Sequence, residues 1–228
     1  MKKITTISLI IAVFITVSAN ANVLVNPGFE TNLLTTANNV LTNFPGFQGV
    51  WGPEAGTIVT AENGVTPIQG VQMLRMVDTG SYTQTFQITD VTASAGLIDS
   101  GGAVVNLTAQ FNVDKALSAA LGVVSLSFFT TSTYASNIPP YLTASLTLDT
   151  SPNTWQPISL TIPVPVGTRW LLSQVAYQDA TLLGIDGQYH PGYVDAADTT
   201  ISQIPEPATL SMLGLGALGL WKKRKNSR

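Results

Sequence analysis

The 228-residue chain contains no cysteine and a single histidine, His190, and only 10% of its residues are charged. Without thiols there is no disulfide staple, no thiolate nucleophile and no cysteine-held metal. His190 sits in Gln188-Tyr189-His190-Pro191-Gly192, a turn-like context that predicts a solvated side chain. No nucleophile elbow, phosphate-binding glycine loop, zinc spacing or redox motif occurs. Glycoside hydrolysis uses two carboxyls placed across a sugar bond, and no acid here stands in a recognisable motif. The sequence therefore predicts no catalytic residues and no enzyme.

Charge is scarce and also unevenly placed. Of ten lysines and arginines, seven occupy the two ends: Lys2, Lys3, Lys222, Lys223, Arg224, Lys225 and Arg228. Between Asn22 and Gln203 only Arg75, Lys115 and Arg169 stand against twelve acids, a net of −9. Nucleic-acid binding needs a basic face to displace counterions from phosphates. A body of this sign excludes that partner class.

The ends carry targeting information. Residues 1–21 read as a secretory signal peptide: Lys2 and Lys3 form the basic start, Ile4–Ser18 is nearly all apolar or hydroxylated, and Ala19-Asn20-Ala21 gives a small-x-small cleavage pattern. A membrane anchor is the alternative. It fits less well, because the run is short and ends in a cleavage pattern instead of a basic stop. At the other end, Ala208–Trp221 is a run of fourteen uncharged residues followed by Lys222-Lys223-Arg224-Lys225. As a helix it spans about 21 Å, short of a hydrocarbon core of about 30 Å. It would cross the inner membrane transiently, with its basic cluster on the cytoplasmic side. Pro205 and Pro207 fix φ, remove two amide donors and push their predecessors toward extended backbone, a shape suited to a protease cleft.

Pro205-Glu206-Pro207, the Leu/Gly-rich run and the basic end, in that order, resemble the PEP-CTERM sorting signal of Gram-negative bacteria, over roughly the last 25 residues. The resemblance implies export by the secretion machinery across the inner membrane and processing at 205–228 by an exosortase, a membrane-embedded cysteine enzyme. It also implies a final place at the cell surface, outer membrane or extracellular matrix, in company with polysaccharide production and biofilm. An ordinary C-terminal membrane anchor is the competing reading.

Between these ends, residues 22–198 read as one all-β domain, with 199–204 as a short linker. Alternation marks Tyr82, Gln84, Phe86 and Ile88, then Val105, Leu107, Ala109 and Phe111, then Val124, Leu126 and Phe128. Further strands are expected in Val71–Val77, Leu142–Leu148, Trp155–Ile162, Arg169–Gln178 and Gly192–Ile201, rich in β-branched and aromatic residues. Turn signals such as Asn63-Gly64, Ser100-Gly101-Gly102, Pro139-Pro140 and Asp186-Gly187 divide them. Only Asp114–Leu121 reads as helix. Many short, regularly punctuated strands predict a single jelly-roll β-sandwich.

The opening Asn22-Val23-Leu24-Val25-Asn26-Pro27-Gly28-Phe29-Glu30 is similar to that of galactose-binding-like jelly rolls, a group that includes many carbohydrate-binding modules. Trp51, Gln84, the run Trp155–Pro165 and Tyr193-Val194-Asp195 follow in that group's order. The usual Asp-Asp/Asn-Val ending is replaced by Asp195-Ala196-Ala197-Asp198, a departure that bears on the last strand's register. The resemblance implies one structural Ca2+ held by Glu30 and Asp195. Calcium takes six to eight oxygens, so loop carbonyls would complete the set.

Exposed aromatic rings can stack on the CH faces of sugars, and loops are where such residues collect. Tyr134, Tyr141 and Tyr189 are the candidate glycan contacts. Trp51 and Trp155 are expected in the core. Three functions stay open: a surface or matrix protein that binds exopolysaccharide, a purely structural surface or biofilm protein, and an enzyme acting on polysaccharide.

Overall fold

The computed structural model describes residues 21–32, 34, 44–52, 56–76, 82–114, 120–149, 151–179 and 190–204. Ten strands appear among them: β1 Trp51–Gly52, β2 Gly56–Val59, β3 Met73–Met76, β4 Tyr82–Asp90, β5 Ala103–Val113, β6 Ala120–Phe129, β7 Asn137–Thr147, β8 Gln156–Pro163, β9 Trp170–Asp179 and β10 Gly192–Gln203. They form two five-stranded sheets, ordered β1-β4-β9-β6-β7 and β2-β3-β10-β5-β8. Every pairing in both is antiparallel. This is the two-layer sandwich expected of alternating strands whose apolar face must be covered. The one α-helix among the described residues, α1 at Ala95–Asp99, follows a 3-10 turn at Thr92–Ser94.

Two of the three alternating runs form the inner faces. Val105, Leu107, Ala109 and Phe111 of β5 lie in the main core with Val124, Leu126 and Phe128 of β6. The third run does the opposite. Phe86 and Ile88 of β4 belong to a second cluster with Phe44, Phe129, Trp170 and Leu172. The residues between them pair with β9 positions such as Val175 and Ser173, and Val175 belongs to the main core. Successive side chains alternate across a sheet, so β4 turns Thr85 and Gln87 inward and its apolar residues outward.

Of these two inward polar residues, Gln87 holds the N-terminal segment. Gln87 is fully buried; its Nε2 donates to the Val25 carbonyl at 2.9 Å and its Oε1 accepts from the Val25 amide at 2.7 Å. Phe29 and Trp51, both fully buried, stack with ring centroids 5.1 Å apart. Trp51 Nε1 donates to the Asn26 carbonyl at 3.3 Å. Trp155 is partly buried against Val65, Met73 and Tyr193, and its Nε1 donates to the Thr66 carbonyl at 2.9 Å.

Three expectations are corrected. Residues 199–203 are the end of β10, not a linker: Thr199 through Gln203 pair with Leu107 through Ala103. Their alternation continues the strand, and the Ile204 amide still donates to the Gly102 carbonyl at 2.7 Å. Of the segment read as helix, Ala120 and Leu121 open β6, while 115–119 lie outside the described residues. His190 is buried, not solvated, with Nδ1 3.5 Å from Asp114 Oδ1, because Pro191 leads straight into β10.

Candidate functional site

The outer face of the β1-β4-β9-β6-β7 sheet is apolar at one side and open at the other. The 3-10 turn at Phe44–Phe47 covers the apolar cluster. Beyond that cover lies a cleft of about 240 Å3 lined by Gln84, Phe86, Ser127, Tyr134, Tyr141, Leu172 and Gln174. Strand alternation puts Gln84 of β4 and Gln174 of β9 on this face together with Phe86 and Leu172. Their amides join: Gln174 Nε2 donates to Gln84 Oε1. Gln174 Oε1 accepts from the Tyr141 hydroxyl at 3.1 Å. Tyr141, Gln174 and Gln84 therefore form one hydrogen-bonded row across β7, β9 and β4.

Two candidate aromatic contacts thus meet at one place. Tyr134 enters from the 3-10 turn at Tyr134–Ser136 and Tyr141 from the edge strand. They are 51% and 52% exposed. Tyr134 is steadied by Phe129, ring centroids 5.6 Å apart, and its turn is closed by Ser136, whose hydroxyl donates to the Thr131 and Thr133 carbonyls. Tyr189 lies outside the described residues. Gln174, Ser127 and Leu172 were not singled out from the sequence. Their only signal there is a polar or apolar side chain at an outward strand position, and that needs the register to be read.

A second feature gathers the two candidate metal ligands. Glu30 and Asp195 grip the same turn. Asp195 Oδ2 accepts from the Ile68 and Gln69 amides at 2.9 and 3.0 Å, and Oδ1 from its neighbour Ala196 at 2.7 Å. Glu30 accepts from the Val71 amide at 3.0 Å and the Gln72 amide at 3.2 Å. Gly70, between the two pairs of amides, has φ +64°, and a Cβ there would run into the Glu30 carboxylate. Glycine is required at this point. Asp195 sits at a β-bulge where the β10–β5 register shifts; Ala196 takes φ 49° and the Ala197 amide turns to the Pro27 carbonyl at 2.9 Å. The departure from the usual ending is therefore a bulge that aims Asp195 at the turn.

The turn offers a hard cation two carboxylates, and among the described residues no third acid, histidine or cysteine joins them, so amide and backbone oxygens would have to complete the set. Asp195 is fully buried, and among the described residues no cationic side chain pairs with it. Burial, and secondarily the charge of Glu30, push its carboxyl above the ordinary range against the pull of three backbone amides. Gln69 Oε1 and Asp195 Oδ1 lie 3.5 and 3.8 Å from where a Cβ on Gly28 would stand, so two side-chain oxygens border the bare face of that glycine. An all-oxygen donor set suits calcium, which would neutralise the adjacent carboxylates.

Comparison with known proteins bears on both parts of the chain. The family model described as the PEP-CTERM protein-sorting motif matches residues 203–225. The chain carries a PEP-CTERM sorting motif. Pro205, Glu206 and Pro207 fall inside the matched stretch, outside the described residues. The motif implies processing by an exosortase, with export and cell-surface sorting. It begins at Gln203, the last residue of β10, so sandwich and signal adjoin directly.

The body is similar to TmCBM61, whose structure was determined in complex with β-1,4-galactotriose: TM-score 0.50, 14% identity, covering 80% of this chain and 99% of that one. It is equally similar, at TM-score 0.50 and 12% identity, to the enzymatically active domain of bacteriophage CBA120 tailspike protein 4. That match covers 79% of this chain and only 21% of the other. No curated protein sequence matches. At these identities the likeness establishes the fold: an all-β antiparallel sandwich of the carbohydrate-binding-module jelly-roll type.

Proposed function

We propose that this is a non-enzymatic, exported surface or matrix protein that binds a neutral glycan chain in the cleft between Tyr134 and Tyr141. The observation that carries the reading is the convergence of two half-exposed tyrosines on one row of amides. Tyrosine rings offer flat faces for sugar CH groups, and glutamine amides both donate to and accept from hydroxyls. None of the seven lining residues is an aspartate, glutamate, lysine, arginine or histidine. Among the described residues a uronate would find no cation there, which supports an uncharged sugar. The cleft is smaller than an enclosed ligand pocket, as suits one or two units of a longer chain crossing the sheet. That TmCBM61 was solved with a galactotriose is consistent with such a face.

The lining also supports a binding role over catalysis. Glycoside hydrolysis uses two carboxyls, and among the described residues no carboxylate borders the cleft. The cell's own exopolysaccharide is the proposed ligand source, given the surface destination of the sorting motif. The protein would also hold a structural Ca2+ at Glu30 and Asp195, with Gln69 beside them, tying the N-terminal segment and the 68–72 turn to β10.

A glycan array spanning neutral and acidic polysaccharides, probed with the exported protein, tests the binding reading. Saturable binding to neutral chains is expected. Tyr134→Ala and Tyr141→Ala should each weaken it about tenfold, ~1.4 kcal/mol. Binding restricted to uronate-rich chains, or unchanged in both variants, would overturn it.

A further inference from the structure

Sheet edges present unpaired backbone donors and acceptors, and folded proteins guard them with short strands, lysines, prolines or bulges. Each sheet here has two edges. β1 has two residues and β2 four, too short to template a partner. β8 is bracketed by Pro157 and Pro163, with Ile158 and Ile162 buried. β7 differs. Its guards, Pro139-Pro140 and the register shift opposite Leu126–Phe128, are confined to its first part. Tyr141–Thr147 follows as seven consecutive strand residues without a proline or a charge. Six of the seven are exposed, Ala144 being the half-buried exception.

Two of these residues show what the edge lacks. Leu142 stands opposite Leu126, and Leu146 opposite Gly122. Leu126 belongs to the main core, so both leucines point to the core side of the sheet. At the rim no described strand lies beyond them, and they remain 37% and 40% exposed. A further strand beside β7 would satisfy its backbone and cover both.

The chemistry of the edge selects the occupant. In a body of net −9, two copies repel wherever acids meet. From Thr130 to Thr168 the only charged residue is Asp149, which lies outside β7, so this edge lets two copies approach without opposed carboxylates. An antiparallel strand pair is compatible with a two-fold axis, which places the same neutral segment on both sides. We propose that Tyr141–Thr147 of β7 pairs antiparallel with the same strand of a second copy, joining two five-stranded sheets into one of ten strands. The outer faces, each with its cleft, then run on continuously across the dyad. This inference stands on the edge itself and does not depend on what the cleft binds.

The absence of cysteine allows a clean test on the full chain in an exporting host with an oxidising envelope. Single cysteines are placed in turn at Leu142, Thr143, Ala144, Ser145 and Leu146, with Thr57→Cys on the β2 edge as the collision control. Disulfide formation needs Cα atoms within about 7 Å, and side chains alternate between faces. Under the two-fold only the residue at the dyad faces its own copy, and a residue two positions away lies about 13 Å along the strand from its equivalent. Covalent homodimer is therefore expected at a single position, at least fivefold above the control. Adding Thr143→Lys or Ser145→Lys in the most productive background should return it to the control level. Resistance of each variant to protease checks folding. Dimer no higher than the control at all five positions, equal dimer at every position, or dimer indifferent to the lysine would overturn the proposal.

Discussion

Asp195 carries the sharpest residue-level consequences. Burial, with the charge of Glu30 behind it, holds its folded pKa above the ordinary 3.8, so in metal-free protein the native state binds the proton more readily than the unfolded chain. A raised carboxyl pKa costs stability at neutral pH, and that cost is relieved as pH falls through the folded value toward 3.8. Calcium reverses the sign, because it competes with the proton for the same oxygens. Chelated protein should therefore gain melting temperature relative to Asp195→Asn on acidification, while calcium-loaded protein loses it. Chelator at neutral pH should lower the wild-type melt and leave Asp195→Asn unmoved. Scanning fluorimetry at two pH values, with and without chelator, reads all four cases; a wild-type melt indifferent to chelator removes the ion from the account. In the cleft, Tyr141→Phe keeps the ring but drops the hydroxyl that donates to Gln174. We expect about a threefold loss of glycan affinity, smaller than for Tyr141→Ala, measured by affinity electrophoresis. An equal loss would assign the effect to the hydroxyl alone.

Among the elements, β4 shows what pattern reading reaches and where it stops. Its alternation was legible; which face sought the core was not. Tyr82, Gln84, Phe86 and Ile88 alternate as a core stripe would, yet a second apolar cluster under Phe44 takes the outer face. Gln87 goes inward because the N-terminal segment there needs a donor and an acceptor, a long-range demand that no local period reports. Thr85 turns inward on the same stripe, its buried hydroxyl without a hydrogen-bond partner among the described residues. Gln87→Leu keeps the volume and leaves the Val25 amide and carbonyl without their partner. A cost of about 2–3 kcal/mol is expected, visible as a lower urea midpoint with an unchanged m-value; a shift below about 0.5 kcal/mol would show the latch to be dispensable. β10 runs to Gln203, two residues past the strand end expected at Ile201 and through most of the stretch expected as linker, for a related reason. Thr199–Gln203 lacks a strong apolar stripe, and its strand character comes from β5 alongside it. Asp195 and Glu30 were legible as a pair through a motif-level resemblance, whereas the bulge at Ala196 that aims Asp195 was visible only as a departure. Tyr134 and Tyr141 could be picked as loop and rim aromatics. Their meeting with Gln174 depended on the order β4-β9-β6-β7, which brings together strands distant in sequence.

At the scale of the whole molecule, the sandwich and the sorting motif adjoin without an intervening linker, since the matched stretch starts at Gln203 where β10 ends. Asn22 bridges Thr200 across the same end of the sheet, so the first described residues lie alongside the end of β10. Exported, processed protein should have a mass short of a C-terminus at Arg228, and intact-mass measurement of the surface fraction checks this. The central claim is that this sorted body presents a neutral-sugar cleft. Its most direct test is side-chain amide and methyl NMR of the exported protein, titrated with neutral oligosaccharides released from the cell's own exopolysaccharide. Saturable shifts concentrated at Gln84, Gln174, Leu172 and their cleft neighbours are expected. Shifts clustered instead around Glu30, Thr57 and Gln72, which line a separate cleft of about 650 Å3, or none at saturating sugar, would contradict that reading.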